Sequence, residues 1–326
     1  LHPLPEIPHF PDPLARHSLR GQTFWPRAEA PPVAVCHFSL SQPAAAQSFR
    51  MHSAVPDFLI TAYNWTVGPL RSANVRVLKA RGLLPVSILF YHRVANSFFN
   101  GWTISHEGFT RQIDWLQANF DLVSLSEAQR RIASGFNNRP TVAITFDDGY
   151  AENSEYALPL LLERSIPFTY FVTVRNVVDQ RPFTHDLNAG RPLPVDSLET
   201  VRALAAIGVD IGCHTMTHPD LATLDETQLQ REISAAGKEL EDHISRSVPH
   251  FAFPFGLQQN LTRRAFEICR EHGYAAVCSA YGGMNAIGQE VFHLQRIHGD
   301  PSEARVRHWL SYSQRQLSVP RFRYQD

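Results

Sequence analysis

From residue 86 onward, short apolar runs alternate with stretches whose apolar positions recur every three or four residues. "VSILFYH" (86–92), "TVAITF" (141–146), "FTYFVTV" (168–174), "VDIGC" (209–213), "HFAFPFG" (250–256), "YAAVCS" (274–279) and "VFHLQRIHG" (291–299) read as strands buried on both faces. Between them lie helical patterns. Phe109, Ile113, Leu116 and Phe120 mark one face of a helix. Residues 126–134 form another that stops at Gly135, and a third lies around 154–164. Ser197–Ile207 leads into Gly208, and a helix from Thr262 stops at Gly273. Leu229, Ile233, Ala236, Leu240 and Ile244 keep helical spacing behind a capping box expected at Thr223 and Glu226. Repeated strand–helix units with fully buried strands require a parallel sheet covered by helices. About seven strands in this length favour a distorted (β/α) barrel, an α/β fold, over an open doubly wound sheet.

The N-terminal part of the chain follows other patterns. Residues 1–50 hold nine of the 23 prolines, one glycine and no period of 2 or 3.6. Such a segment buries too little apolar surface to offset its ordering entropy. It is expected to be either a disordered extension or a non-native one that precedes a natural translation start at Met51. Residues 51–85 form a helical N-terminal segment. Its part from Pro56 to Arg81 reads as a helix broken near Gly68-Pro69. Phe58, Leu59, Ile60, Tyr63 and Trp65 precede Arg71, Arg76, Lys79 and Arg81, a pattern that fits peripheral membrane contact through 56–81.

Composition narrows the classes of function. A hydrophobic fraction of 44% with 19% charged residues is that of a globular protein. A net charge of −1 gives no footprint for nucleic acid. Cys36, Cys213, Cys269 and Cys278 show no CxxC pair and read as free thiols in a reducing compartment. With no export signal, the expected location is cytoplasmic or membrane-associated. No GxGxxG or GxxxxGK[ST] occurs, which removes dinucleotide and P-loop readings.

Polar groups collect where strands end, the place where parallel α/β folds bind ligands. Asp147 and Asp148 follow "TVAITF", and "HTMTH" (214–218) follows "VDIGC". Two histidines four apart can share a metal on a helical turn, although Pro219 keeps any such turn short. Two imidazoles and a carboxylate leave coordination sites open, as catalytic zinc requires, and the set also suits non-haem iron. Adjacent residues on an extended chain point apart. One aspartate can then hold the metal while its neighbour takes a proton from water on it.

"TFDDGY", "HTMTH" and "FAFPFG", in this order, resemble the polysaccharide deacetylases of the NodB-homology type (carbohydrate esterase family 4). "ILFYHRV" (88–94) resembles the opening strand of one branch. The resemblance spans about 86–300, within an expected domain of 86–320. It implies hydrolysis of N-acetyl groups from amino sugars in a glycan, with one divalent ion, usually Zn2+. It makes Asp147 the catalytic base and Asp148, His214 and His218 the metal ligands. Thr215 then steadies the histidine loop, and the Phe255 N–H stabilises the oxyanion. His298 falls where the family places a catalytic histidine, and is either a general acid or a pocket wall. Ala252 stands where many members carry an arginine that orients the base; Arg296 is the candidate replacement. "AYGGMN" (280–285) replaces an aspartate-tryptophan motif, so Tyr281 either shapes the acetyl pocket or belongs to a turn. Tyr150 and the pair His185-Asp186, in a Pro/Gly-rich loop over 181–195, are rim candidates for substrate contact. The expected partner is an N-acetylated saccharide. The rivals are a metal-dependent amidase on a non-sugar C–N bond and a non-catalytic glycan-binding domain.

Overall fold

The computed structural model describes residues 55–299 and 302–324. The expectations for residues 1–50 and the thiol Cys36 fall outside them. The strands are β1 (Val86–Tyr91), β2 (Arg93–Val94), β3 (Thr103–Ile104), β4 (Asp121–Val123), β5 (Thr141–Phe146), β6 (Phe168–Val172), β7 (Asp210–Cys213), β8 (His250–Ala252), β9 (Ala276–Cys278), β10 (His293–Leu294) and β11 (Ile297–His298). The main sheet runs β10-β9-β8-β7-β6-β5-β1-β11, with β4 also on β5, and every pair in it is parallel. The path of hydrogen bonds is open. Its two edges, however, are consecutive pieces of one segment, separated only by Gln295 and Arg296. A chain that short reaches only about 10 Å, so the sheet must curl until its edges are neighbours. The α/β barrel-like architecture expected from the runs is present, with more and shorter strands than the runs suggested.

Strand alternation divides the core in two. Val86, Ile88, Ala143, Phe171, Ala252 and Cys278 share the inner cluster. Leu89, Ile144, Tyr170, Ile211, Phe251 and Val277 face the helices in the larger outer one. Ala143, Ala252 and Cys278 are small, and the Arg296 side chain packs beside Phe171 of this cluster. The guanidinium is fully buried and lies 4.8 Å from the Phe90 ring centroid and 5.3 Å from that of Phe171.

Several local expectations are corrected. The first helix, α1 (Asp57–Arg81), runs unbroken through Pro69. Gly68 lacks the Cβ that normally collides with a following proline ring. It ends at Gly82 in the left-handed region, where a Cβ would meet the Phe136 ring at 2.2 Å. The capping box forms at Asp225 and Gln228 instead of Thr223 and Glu226; Thr223 caps nothing because it is held in a 3-10 turn by Asp220. The loop over 181–195 contains a helical turn, Thr184–Asn188. Cys213, Cys269 and Cys278 are free and buried.

α1 packs on the C-terminal helix Glu303–Trp309 and the turn after it. Arg71 bonds Ser311 Oγ at 2.5 Å and His308 bonds Asn64 at 2.8 Å. Trp65 stays 84% exposed, and Phe58 and Leu70 are exposed beside it. Among the described residues, no helix is long and apolar enough to cross a membrane.

Candidate metal centre

β5 delivers the aspartate pair, but not by strand alternation. Asp148 adopts φ 74°, in the left-handed region. That twist, rather than an extended pleat, turns the two carboxylates apart. Thr215 (φ 68°), His218 (φ 63°) and Phe255 (φ 60°) share the conformation. L-residues avoid it, and such strain persists where surrounding contacts over-determine it. Among the described residues, four of the nine non-glycine residues with positive φ therefore meet at this one place. Gly256 follows at φ 60°, and a Cβ there would lie 2.6 Å from the Ala280 nitrogen.

Asp148, His214 and His218 converge. Asp148 Oδ1 lies 3.4 Å from His214 Nε2 and 3.3 Å from His218 Nε2. Neither contact has hydrogen-bonding geometry, so this buried oxygen has no donor among the described residues. Ligand atoms about 2.0–2.1 Å from a tetrahedral zinc sit roughly 3.3–3.4 Å from each other, which matches both separations. The three donor atoms all lie within 4.8 Å of one another. The tautomer also fits. His214 Nδ1 lies 2.8 Å from the Ala252 carbonyl, which can only accept, so Nδ1 carries the proton and Nε2 is free to ligate. Burial pushes the Asp148 carboxyl up, but the two imidazoles outweigh it and hold it well below the usual range. Burial pulls both imidazoles down; Asp148 and Asp147 together overcome this at His214, whereas Asp148 does not overcome it at His218. The residues present thus fit a divalent cation.

The histidines do not share a helical turn. They sit on a bent loop, with His218 N–H donating to Thr215 Oγ1 at 2.9 Å. The bond ties one end of the loop to the other. A second brace was not anticipated. Glu232 accepts from Met216 N (3.0 Å), Thr217 N (2.8 Å) and Thr217 Oγ1 (2.7 Å). Its signal was present: an acidic residue beside Ile233, buried on the inward stripe of a helix.

Asp147 stays out of the cluster. Its Oδ1 and Oδ2 accept from Arg296 Nη1 (2.6 Å) and Nη2 (2.8 Å). Arg296 also donates to Thr145 Oγ1 at 3.0 Å and to the Ser279 carbonyl at 3.1 Å. Burial raises the Asp147 carboxyl, and the guanidinium with His214 more than reverses this. Position 252 carries alanine, and the guanidinium on this carboxylate comes from the segment between β10 and β11.

The remaining candidates occupy the rim or leave it. Phe255 is 48% exposed, with its ring 5.2 Å from that of His218. No group among the described residues accepts its backbone N–H. Tyr150 is buried, with its hydroxyl 2.9 Å from both His185 Nε2 and Asp186 Oδ2. His298 lies against Phe90 and His92; burial and His92 push it down to about 3. Tyr281 points away, its hydroxyl accepting from Phe322 N at 2.9 Å. Trp102, not singled out in the sequence, stands 6.2 Å from His92 and 6.0 Å from His185, ring to ring.

Comparison with known proteins agrees with this geometry. The polysaccharide deacetylase family matches residues 135–277. YxkH of Bacillus subtilis is 24% identical over 218 residues, covering 66% of this chain and 71% of that protein. A chitooligosaccharide deacetylase of Bradyrhizobium is 26% identical over 132 residues, 40% of this chain and 52% of the relative; the match thus spans about half of that relative's length. In fold, the chain is similar to the Streptococcus pyogenes deacetylase PplD in complex with acetate. There the TM-score is 0.58 at 18% identity, covering 70% of this chain and 99% of that one. With the aspartate pair and the histidine loop both inside the matched residues, the chain contains a polysaccharide deacetylase domain of the NodB-homology type, carbohydrate esterase family 4.

Proposed function

We propose that this protein removes N-acetyl groups from amino sugars of a glycan by metal-dependent hydrolysis. One observation carries the reading: a donorless buried carboxylate oxygen faces two imidazole nitrogens at 3.3 and 3.4 Å, while the adjacent aspartate is clamped apart. Asp148, His214 and His218 would hold the ion, and we assign zinc from the nitrogen-rich donor set. When bound, it supplies Lewis acidity toward the acetamide carbonyl and toward water. Asp147 takes the proton from the attacking water. Each of its oxygens keeps a lone pair beyond the one Arg296 occupies. Arg296 holds the base ionised and in one rotamer. The Phe255 N–H donates to the oxygen on which negative charge develops, the kind of preorganised donor that often contributes most to such catalysis. His298, packed against Phe90 and His92 and uncharged at neutral pH because burial pushes it down to about 3, serves as a pocket wall. Asp147 returns its acquired proton to the departing nitrogen. The products are acetate and a free amine.

The substrate class rests on the matched family and on the relative's name as a chitooligosaccharide deacetylase. The test is acetate release from N-acetylated chito-oligosaccharides with and without chelator. Release that chelator abolishes and zinc restores is expected; release indifferent to chelator would refute it. The exposed apolar residues of α1, with Arg71, Arg76, Lys79 and Arg81, support a peripheral contact with an anionic bilayer as part of this proposal. Co-sedimentation with anionic vesicles, lost in Trp65→Ala, would bear it out; sedimentation that survives the change would not.

A further inference from the structure

The segment between β2 and β3 is the most aromatic exposed stretch near the site. Phe98 and Phe99 are 57% and 59% exposed, although a soluble fold gains nothing by presenting two adjacent phenyl rings to water. The loop is not slack. Buried Arg93 donates through Nη1 to the carbonyls of Ser97 (2.9 Å) and Phe98 (3.2 Å). Through Nε and Nη2 it holds Glu152, two residues beyond Tyr150, at 3.1 and 2.8 Å. Phe98 is kept at φ 48°, a conformation a phenylalanine adopts only under constraint. Asn100 Oδ1 fixes the turn by accepting from Trp102 N and Thr103 Oγ1 at 3.1 and 2.7 Å. The rings are thus presented by a rigid arm tied to the helical turn that follows the aspartates.

Trp102, at the end of the arm, links it to the metal centre through a chain of rings. Rings follow one another from His218 to Phe183 (5.3 Å), to His185 (5.4 Å), to Trp102 (6.0 Å). Across the gap, the Arg191 guanidinium lies 5.7 Å from the Phe98 ring centroid. A pyranose has an apolar C–H face and a hydroxyl edge. An aromatic face beside guanidinium donors matches both, whereas an acyl chain would leave the donors unused. We propose that Trp102, Phe98, Phe99 and Arg191 form a subsite for the sugar units next to the one deacetylated, so that the enzyme selects for chain length. This rests on the deacetylase reading above.

The test compares wild type with Phe98→Ala/Phe99→Ala and with Arg191→Ala, using N-acetylated chito-oligosaccharide dimer and hexamer. Arg191 is surface-exposed, so its variant guards against misfolding of the double change. The hexamer-to-dimer ratio of kcat/KM is expected to fall about tenfold in each, through KM, with metal content and Tm as in wild type. Calorimetric titration of the hexamer should weaken by the same factor. A ratio that does not move, or equal losses on both substrates, would overturn the subsite. So would an unchanged ratio with lost sedimentation on phosphatidylglycerol vesicles, which would make the rings a lipid contact. If wild type releases no acetate at all, the deacetylase reading fails, and the titration alone decides the subsite: hexamer binding that both variants retain in full would end it.

Discussion

Replacing Arg296 by methionine keeps the unbranched apolar stem, drops the guanidinium and removes four hydrogen bonds, two to Asp147 and one each to Thr145 and Ser279. Both members of the ion pair are buried. Breaking such a pair from one side costs about 3–5 kcal/mol, because the remaining charge is left without a partner. With an unfolding entropy of about 2.1 cal/mol/K per residue over the described fold, that is a Tm loss of roughly 5–9 °C. The pH dependence follows from the sign of the shift. In wild type the carboxyl sits below its ordinary value, so its stabilising contribution is present above the unfolded value and lost as the pH falls through the folded one. In the variant only the imidazoles of His214 and His92 oppose the burial that raises it, so the carboxyl moves up. The Tm gap to wild type should narrow as the pH falls toward about 4. The acid limb of kcat should move to higher pH, with kcat reduced about a hundredfold at neutral pH as the base loses its orientation. Asp147→Asn/Arg296→Met should regain part of the lost Tm, because no charge is left unpaired. Calorimetry and pH-rate profiles read each quantity. A Tm within about 2 °C of wild type, together with an unshifted acid limb, would refute the assignment of Arg296 as the residue that holds the base.

Other outcomes follow from the same structure. Glu232→Gln keeps one acceptor but loses the charge that gathers the Met216 and Thr217 donors; metal affinity by chelator competition should fall about 10- to 100-fold, and unchanged affinity would make Glu232 merely structural. Burial pushes Asp196 up to about 7, the bonds from Ser154 and Tyr170 not reversing it. A carboxyl raised on folding lowers stability as pH rises from its unfolded value through its folded one. Asp196→Asn should therefore gain on wild type in Tm between about pH 4 and pH 7; a constant difference across that window would contradict the placement of its charge.

The sheet and the metal cluster were legible because each rests on a local signal. Runs such as "TVAITF" have no way to form except as strands buried on both faces, and the aspartates, histidines and Phe255 stand directly after such runs. Other features depend on partners distant in sequence. Glu232 reads as one acidic residue in a helical stripe until the loop over 214–218 folds onto it. Trp102 and the Phe98-Phe99 arm belong to no period at all, because Arg93 and Glu152 set their position. The split of the aspartate pair was foreseen, but its cause was not: strand alternation needs no special φ, whereas Asp148 uses a left-handed turn that no pattern of hydrophobicity encodes. Pro69 misled for the opposite reason, since the helix rule outweighs the exception that a preceding glycine creates.

The central claim is that Asp148, His214 and His218 hold one cation while Asp147 stands free beside it. Elemental analysis of the purified chain, dialysed against zinc, tests this directly in wild type, Asp147→Asn, Asp148→Asn, His214→Ala and His218→Ala. The account predicts one ion per chain in wild type and in the inactive Asp147→Asn, and none in the other three. Zinc retained when a ligand is removed, or lost with Asp147 alone, would contradict it.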